Sequence, residues 1–457
     1  MSKATSVSKS MQKFAINKVL NYVEGNPEEN IPKLMELVDK FAPEGWFGPQ
    51  RNAIRTAIDE KNNWYQLILK LYDLDPGVRR AFFRNFIFNA SLEGFATQNV
   101  VKEQEGCNVP WAILLDPTSA CNLHCTGCWA AEYGNQLNLT VEDIDSTIRQ
   151  GKKMGTYMYI YTGGEPMVRK KDLIKICEMH PDCEFLSFTN GTLIDEEFCQ
   201  EMLRVKNFVP AISLEGFEEA NDSRRGQGIY QKVKNAMDLL KAHKLPFGIS
   251  VCYTSHNYAD ISSEEFFDYI IDSGALFVWL FHYMPVGNGA VKELLPSPEQ
   301  RKEVYRRIRE FRNTKPIFSM DFQNDAQYVG GCIAGGRSYL HINAKGDVEP
   351  CVFIHYSNCN IHDTSLLDAL KSPLFMAYHD NQPFNENMLR PCPMLENPEC
   401  LRRMVHDTKA VSTDYESPES VDDLCDKTTE YAENWKPAAD ELWATTPHKK
   451  PKSFYEE

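Results

Sequence analysis

Cys121, Cys125 and Cys128 stand as C-x3-C-x2-C in the stretch Asp116-Pro-Thr-Ser-Ala-Cys-Asn-Leu-His-Cys-Thr-Gly-Cys-Trp129. Three thiolates on one short loop can hold three irons of a cubane [4Fe-4S] cluster and leave the fourth iron without a protein ligand. An open iron can take a small molecule, so the spacing suggests chemistry at a cluster as well as electron storage. The same residues could instead bind zinc, with His124 or a distant side chain as fourth ligand. Downstream lies Gly163-Gly164-Glu165-Pro166. Two glycines at a strand end let the backbone come close to a ligand, and Glu165 adds a carboxylate that can accept from an ammonium group. On its own such a tetrapeptide is usually only a turn.

A second set of cysteines lies in residues 330–400. Cys332 and Cys351 flank a predicted β-hairpin, with Ser338 to Asn343 as one arm, Ala344-Lys-Gly-Asp as the turn and Val348 leading back. The hairpin brings the two thiols together, Arg390-Pro-Cys392 offers a third, and Cys359 and Cys400 compete for a fourth position. Cys107, Cys177, Cys183, Cys199, Cys252 and Cys425 read as buried core thiols.

Periodicity gives the elements that must position these groups. Ala112 to Leu115 reads as a buried strand, and Thr156 to Thr162, rich in β-branched and aromatic residues, as another. A helix over 140–154 begins at Thr140, with Glu142 and Asp143 in its first turn. Helices over 169–180, 194–205, 229–243, 262–273 and 297–313 then alternate with strands over 184–188, 208–214, 247–253 and 275–281, giving six βα units. This α/β alternation predicts a parallel sheet. Polar groups fall repeatedly at strand ends: Gly163 to Pro166, Thr189 and Asn190, Ser213 and Glu215, Tyr253 and Thr254, His282 and Tyr283. One shared mouth is the economical reading. The expected organisation is a helical region 1–105, an α/β region 106–320, a small α+β region 321–405, and an acidic helix and tail 406–457, the helix running from Ser417 to Trp435.

The cysteine loop, one helix, one strand and then Gly163-Gly164-Glu165-Pro166 closely resemble the radical S-adenosylmethionine (SAM) superfamily. Cys332, Ala334-Gly335, a strand, a glycine turn and Pro350-Cys351 resemble the opening of a SPASM or related twitch domain. Ser365 to Leu370 and Ser372 to Phe375 match the helix that follows there. The resemblance covers residues 110–400 and implies an open, partial (β/α)6 barrel with its site at the C-terminal strand ends. It implies that Cys121, Cys125 and Cys128 hold a [4Fe-4S] cluster whose open iron binds the amino and carboxylate groups of SAM. The Gly163–Pro166 turn then receives the amino group, and Thr189 and Asn190 are candidates for the ribose hydroxyls. Leu214-Glu215-Gly216 is similar to the family's Ser-Leu-Asp-Gly strand end, with Glu for Asp. Asn221 to Gly226 is similar to His-Asp-x-x-Arg-Gly, with Asn221 for His. Arg225 there either stabilises a carboxylate or caps the barrel edge. Gly127 departs from the aromatic residue often found before the third cysteine, a place Trp129 could fill. Cys332, Cys351 and Cys392, with Cys359 or Cys400, are implied ligands of one auxiliary [4Fe-4S] cluster, since the dense C-x2-C-x5-C-x3-C centre of full SPASM domains is missing.

The chemistry implied is reductive cleavage of SAM, followed by hydrogen abstraction from an unactivated carbon by a 5′-deoxyadenosyl radical. Tyr253, His282 and Tyr283 are candidate catalytic side chains or plain barrel lining. The expected substrate is a peptide or protein, with a lipid or small metabolite as the alternative and flavodoxin or ferredoxin as electron donor. A non-catalytic iron–sulfur carrier or sensor is the rival of a different class. Net charge is −15 over 457 residues without a basic stripe, so nucleic acid is not an expected partner. Residues 1–10 have no apolar signal-peptide core, which points to reduced thiols in a cytoplasm. No apolar run is long enough to span a bilayer. Residues 8–24 carry Lys9, Lys13 and Lys18 beside an apolar stripe and leave peripheral membrane contact open.

Overall fold

The computed structural model describes residue 22, residues 25–41 and residues 48–446. The basic stripe over 8–24 therefore falls, Tyr22 apart, outside the described residues, as does the tail from Lys449. The expected helical region 1–105 contains, among its described residues, α1 Pro27–Phe41, α2 Gly48–Glu60, α3 Asn63–Lys70, α4 Pro76–Phe82, a π-helical stretch Phe83–Gly94 and α5 Phe95–Glu105. Asp75 starts α4 by accepting from the N–H groups of Gly77 and Val78, with Pro76 in the first turn. Both devices suit a helix start, whose first N–H groups have no internal partner. The helical run continues from α4 into α5 because its polar residues are fastened to the barrel. Asn85, Asn89 and Gln98 donate to the carbonyls of Cys183, Asp182 and Gly155.

Seven parallel strands follow: β1 Ala112–Leu115, β2 Met158–Tyr161, β3 Glu184–Thr189, β4 Phe208–Ser213, β5 Gly248–Tyr253, β6 Phe277–His282 and β7 Phe318–Asp321. They are connected by α6 Val141–Lys153, α7 Lys170–Met179, α8 Glu196–Val205, α9 Glu218–Arg225, α10 Ile229–Ala242, α11 Tyr258–Ile261, α12 Glu264–Asp272 and α13 Pro298–Thr314. The seventh strand is four residues long, too short for its alternation to stand out in the sequence. After α14 Ala326–Val329 comes the hairpin of β8 Tyr339–Ile342 and β9 Val348–Glu349. The hairpin does not stand apart: β8 pairs in parallel with β1 and extends the barrel's own sheet, in the order β7-β6-β5-β4-β3-β2-β1-β8-β9.

Side chains alternate across each strand, and this alternation sorts barrel wall from barrel interior. In β5, Val251 and Tyr253 are buried in the core beneath the outer helices, while Ser250 and Cys252 line the interior cavity. In β6, Val278 and Leu280 face that core, and Trp279 and Phe281 face inward.

The chain ends in β10 Tyr356–Ser357, α15 Leu366–Leu370, α16 Pro373–Asn381, α17 Pro398–Thr408, β11 Val411–Ser412 and α18 Val421–Thr445. Ser420 caps α18 through the N–H of Asp423. The helix outruns the expected Trp435 end because Trp435, Ala439 and Leu442 all bury one face. That face covers Arg301 of α13, which has no exposure, lies 4.2 Å from the Trp435 ring and pairs with buried Glu396 at 2.8 Å. A second buried network joins β8 to β1: His341 sits between Asp116 (2.9 Å) and Glu349 (2.6 Å), and Glu349 also accepts from Tyr133 and Thr413.

Candidate active site between two sets of thiols

The loop after β1 carries Cys121, Cys125 and Cys128, and the glycine turn after β2 holds it in place. Gly164 N–H donates to the Thr118 carbonyl (3.1 Å) and Glu165 N–H to that of Ala120 (2.8 Å). A Cβ on Gly163 would lie 2.7 Å from the Thr118 carbonyl oxygen, and one on Gly164 would collide with the carbonyls of Ser119 and Ala120. The sequence reading had these glycines admit a ligand. The close approach seen is that of the chain's own cysteine loop. Glu165 is buried, and its carboxylate accepts from Met167 N–H (2.9 Å), the Thr189 hydroxyl (2.7 Å) and Asn190 N–H (2.7 Å). Burial nevertheless raises its pKa. Three donors leave about one of its roughly four lone-pair sites for another partner.

Across the barrel mouth, Glu215 has no exposure and accepts from Arg224 and Arg225, each at 2.5 Å, and from Cys252 N–H at 3.0 Å. Burial opposes its charge, but the two guanidiniums outweigh burial and hold its pKa below the usual value. One carboxylate between two guanidiniums leaves positive charge facing the thiols. Burial pushes the Cys128 thiol up while both arginines pull it down. The Nε of Arg224 is buried with no partner among the described residues. The three thiols, Gly163, Gly164, Glu165, Thr189, Asn190, Ser213, both arginines, His282 and Tyr283 all line one cavity of about 240 Å³.

Cys332, Cys351 and Cys392 line a second cavity, of about 590 Å³. The Tyr339 hydroxyl lies 2.7 Å from Cys351 Sγ, and the N–H groups of Phe353 and Leu395 donate to Cys351 and Cys392 at 3.5 and 3.4 Å. In the first set, Leu123 N–H donates to Cys121 Sγ at 3.4 Å. Glu396 accepts from Cys392 N–H at 2.7 Å and so links this thiol to Arg301. Tyr378 Oη, which feels Cys332, Cys351, Cys392 and Cys400 electrostatically, is buried without a partner among the described residues. Trp279, Met284, Phe322, Ile333, Tyr339 and Phe353 line both cavities and form their common wall. Among the described residues, no three His, Cys, Asp or Glu side chains are gathered as if around a single metal ion.

Residues 115–270 match the radical SAM superfamily, and residues 332–397 match the SPASM family, an iron-sulfur cluster-binding domain. The chain carries a radical SAM region followed by a SPASM region. It is 24% identical over 285 residues to an AdoMet-dependent heme synthase of Methanosarcina barkeri, covering 56% of this chain and 80% of that protein. It is 27% identical over 168 residues to a cysteine-type anaerobic sulfatase-maturating enzyme of Clostridium perfringens, covering 32% of this chain and 45% of that one. In fold it is similar to Streptococcus suis SuiB bound to S-adenosylmethionine, with a TM-score of 0.56, 18% identity, and coverage of 72% of this chain and 81% of that one.

Radical SAM and SPASM regions imply [4Fe-4S] clusters and SAM as cofactors, and the residues present fit these groups. Each site of the radical SAM–SPASM pair offers three thiols on a cavity wall, N–H···S hydrogen bonds and a buried polar atom left unpaired. Burial raises the thiols of Cys121 and Cys332 to about 11 and that of Cys351 to about 12, so cluster binding must displace protons.

Other sequence candidates lie differently. Tyr253 is on the outward face of β5, where its hydroxyl accepts from Asn324, and does not line the cavity. His282 lines it, but both ring nitrogens are engaged, by the Tyr283 carbonyl and by the Tyr431 hydroxyl, each at 2.6 Å. Pro166 starts the short turn after the glycines, away from the cavity wall. Cys359 packs against the barrel core beside Ser357 and Ser372, and Cys400 sits off the second cavity's wall. The Tyr283 hydroxyl would lie 2.7 Å from a Cβ on Gly127, so this tyrosine fills the space a side chain there would take. Arg224 went unrecognised in the sequence; its signal was the doubled Arg at the end of α9. Tyr431 and Trp435 had none, lying outside every motif.

Proposed function

We propose that this enzyme cleaves SAM reductively and takes a hydrogen atom from an unactivated carbon of a substrate held between its two sets of thiols. Cys121, Cys125 and Cys128 are the ligands of the SAM-binding cluster, and Cys332, Cys351 and Cys392 those of an auxiliary one. The observation that carries this reading is the common wall of the two cavities, which puts one space within reach of both cofactors. When bound, the clusters and SAM supply the electron, the cleaved sulfonium and the hydrogen-abstracting radical.

The chain's own residues bind, orient and shield. Gly163 and Gly164 hold the cysteine loop, and the free site on Glu165 takes an ammonium. Thr189 and Asn190 stand beside it for hydroxyls, and Arg224 and Arg225 offer donors to a carboxylate. Trp279, Phe281 and Phe353 keep water from the reacting carbon. His282 is a positioning residue: its Nδ1–H donates to the Tyr283 carbonyl, and burial with nearby Arg301 keeps the ring neutral. A flavodoxin or ferredoxin is the proposed electron donor.

Anaerobic incubation of the reconstituted protein with SAM and dithionite is expected to yield 5′-deoxyadenosine, and the Cys121→Ala/Cys125→Ala/Cys128→Ala variant to yield none. A protein with full iron content that binds SAM without cleaving it, or fails to bind it, would instead be a carrier or sensor.

A further inference from the structure

Tyr378 of α16 carries a hydroxyl that its packing does not use. The side chain is fully buried, and Oη has no hydrogen-bond partner among the described residues. The ring is held from two sides. A Cβ on Gly335, where φ is +63°, would lie 2.5 Å from the Tyr378 Cβ, so this glycine makes room for the side chain. Phe384 meets the ring edge-on, with 5.3 Å between centroids. Such packing needs the ring alone. A phenylalanine would fill the same space without burying an unpaired polar atom, which costs free energy.

The hydroxyl belongs with the second set of thiols. Tyr378, Cys332, Cys351 and Cys392 line the same cavity, and these three cysteines, with Cys400, act on the Tyr378 hydroxyl electrostatically. Tyr339 brings a second phenol to the same wall, its hydroxyl 2.7 Å from Cys351 Sγ. A metal-bound Cys351 has no proton to give, so Tyr339 is then the donor of that pair. Burial holds both phenols well above their usual pKa, and both keep their protons to donate.

We infer that the Tyr378 and Tyr339 hydroxyls donate to the sulfur atoms of the auxiliary cluster and raise its reduction potential. The inference rests on the proposed assignment of Cys332, Cys351 and Cys392 as ligands of that cluster. Hydrogen bonds to sulfur are among the terms that set the potential of an iron–sulfur centre. They stabilise the reduced, more negative cluster more than the oxidised one. Both tyrosines act through the cluster as positioning residues, and neither is an iron ligand.

The test is an anaerobic redox titration of the reconstituted holoenzyme, followed by electron paramagnetic resonance. The auxiliary signal is the one that SAM does not shift and that the Cys332→Ala/Cys351→Ala/Cys392→Ala variant lacks. Tyr378→Phe keeps the ring and removes the hydroxyl. At a fixed potential near the midpoint, its auxiliary cluster should show an oxidised-to-reduced ratio about tenfold above that of the parent, a midpoint lower by about 59 mV for a one-electron couple. Tyr339→Phe should shift the midpoint in the same direction. Both variants should keep about eight irons and the parent's midpoint for the first cluster. Electron–nuclear double resonance of the reduced auxiliary cluster should show a proton that exchanges in D2O in the parent and is missing in Tyr378→Phe. The inference is overturned if Tyr378→Phe keeps the parent's midpoint, if the midpoints of both clusters move together, or if the variant loses auxiliary iron, which would make the phenol a ligand. A parent with about four irons and no auxiliary signal would instead overturn the assignment of the second thiols, and this inference with it.

Discussion

Glu165 and Arg224 show how little of a residue's role lies in its type alone. Glu165 is engaged first with Met167, Thr189 and Asn190. Glu165→Gln keeps the shape but turns one acceptor into a donor facing another donor. The loss of a charge-assisted bond, roughly 1.5–3 kcal/mol, should raise the SAM dissociation constant about tenfold or more. Iron content should hold, because the cysteine loop is fastened through backbone groups of Gly164 and Glu165. Isothermal titration checks this, and an unchanged isotherm reduces Glu165 to a turn residue. At Arg224 the unpartnered Nε is the group in question. Arg224→Lys keeps the charge opposite Glu215 and removes that donor, so SAM binding should weaken about tenfold while the fold persists. Binding equal to that of the parent would leave Arg225 alone as the carboxylate partner.

At the scale of elements, the glycine turn and the hairpin are the parts whose loss should be read in iron. Gly164→Ala sets a methyl group against the Ser119 and Ala120 carbonyls. It should displace the cysteine loop and lower iron by about four per chain, and iron assay of the purified variant decides it. Replacing Cys332, Cys351 and Cys392 together with Ala should also remove about four irons. Because β8 is bonded to β1 through backbone groups, the triple variant should keep the first cluster and still cleave SAM slowly. Full iron in that folded variant would remove the second site. Both cysteine sets and the strand-end positions of Thr189, Asn190 and Ser213 were legible because strand ends and turn glycines leave local marks. Tyr253 was not, because its face depends on the phase of alternation, which Val251 and Cys252, the two residues before it, reveal only once packed. Cys359 matched on spacing, yet its place beside Ser372 follows from how α15 and α16 pack.

Across the whole molecule, two buried charge networks join parts of the chain that no motif connects. Burial alone would lower the pKa of His341, but Asp116 and Glu349 on either side raise it to about 10. The folded state therefore binds a proton that the unfolded chain releases near its ordinary value of about 6.5. The stabilisation is complete below about pH 6.5 and is lost as pH rises towards 10. The melting temperature should fall across that window in the parent and stay flatter in His341→Gln; parallel curves would show that the imidazole is neutral throughout. The Arg301–Glu396 pair, covered by Trp435 of α18, lies outside the reach of sequence reading for the same reason as His341: its partners meet only in three dimensions. The pairing of β8 with β1 also bears on how the protein is made. Asp116 and His341 meet across 225 residues of chain, so a nascent chain emerging from the ribosome displays the cysteine loop long before the strand beside it exists. Contacts of such separation form late. The cysteine loop is thus synthesised well before the β8 side of its sheet can be completed.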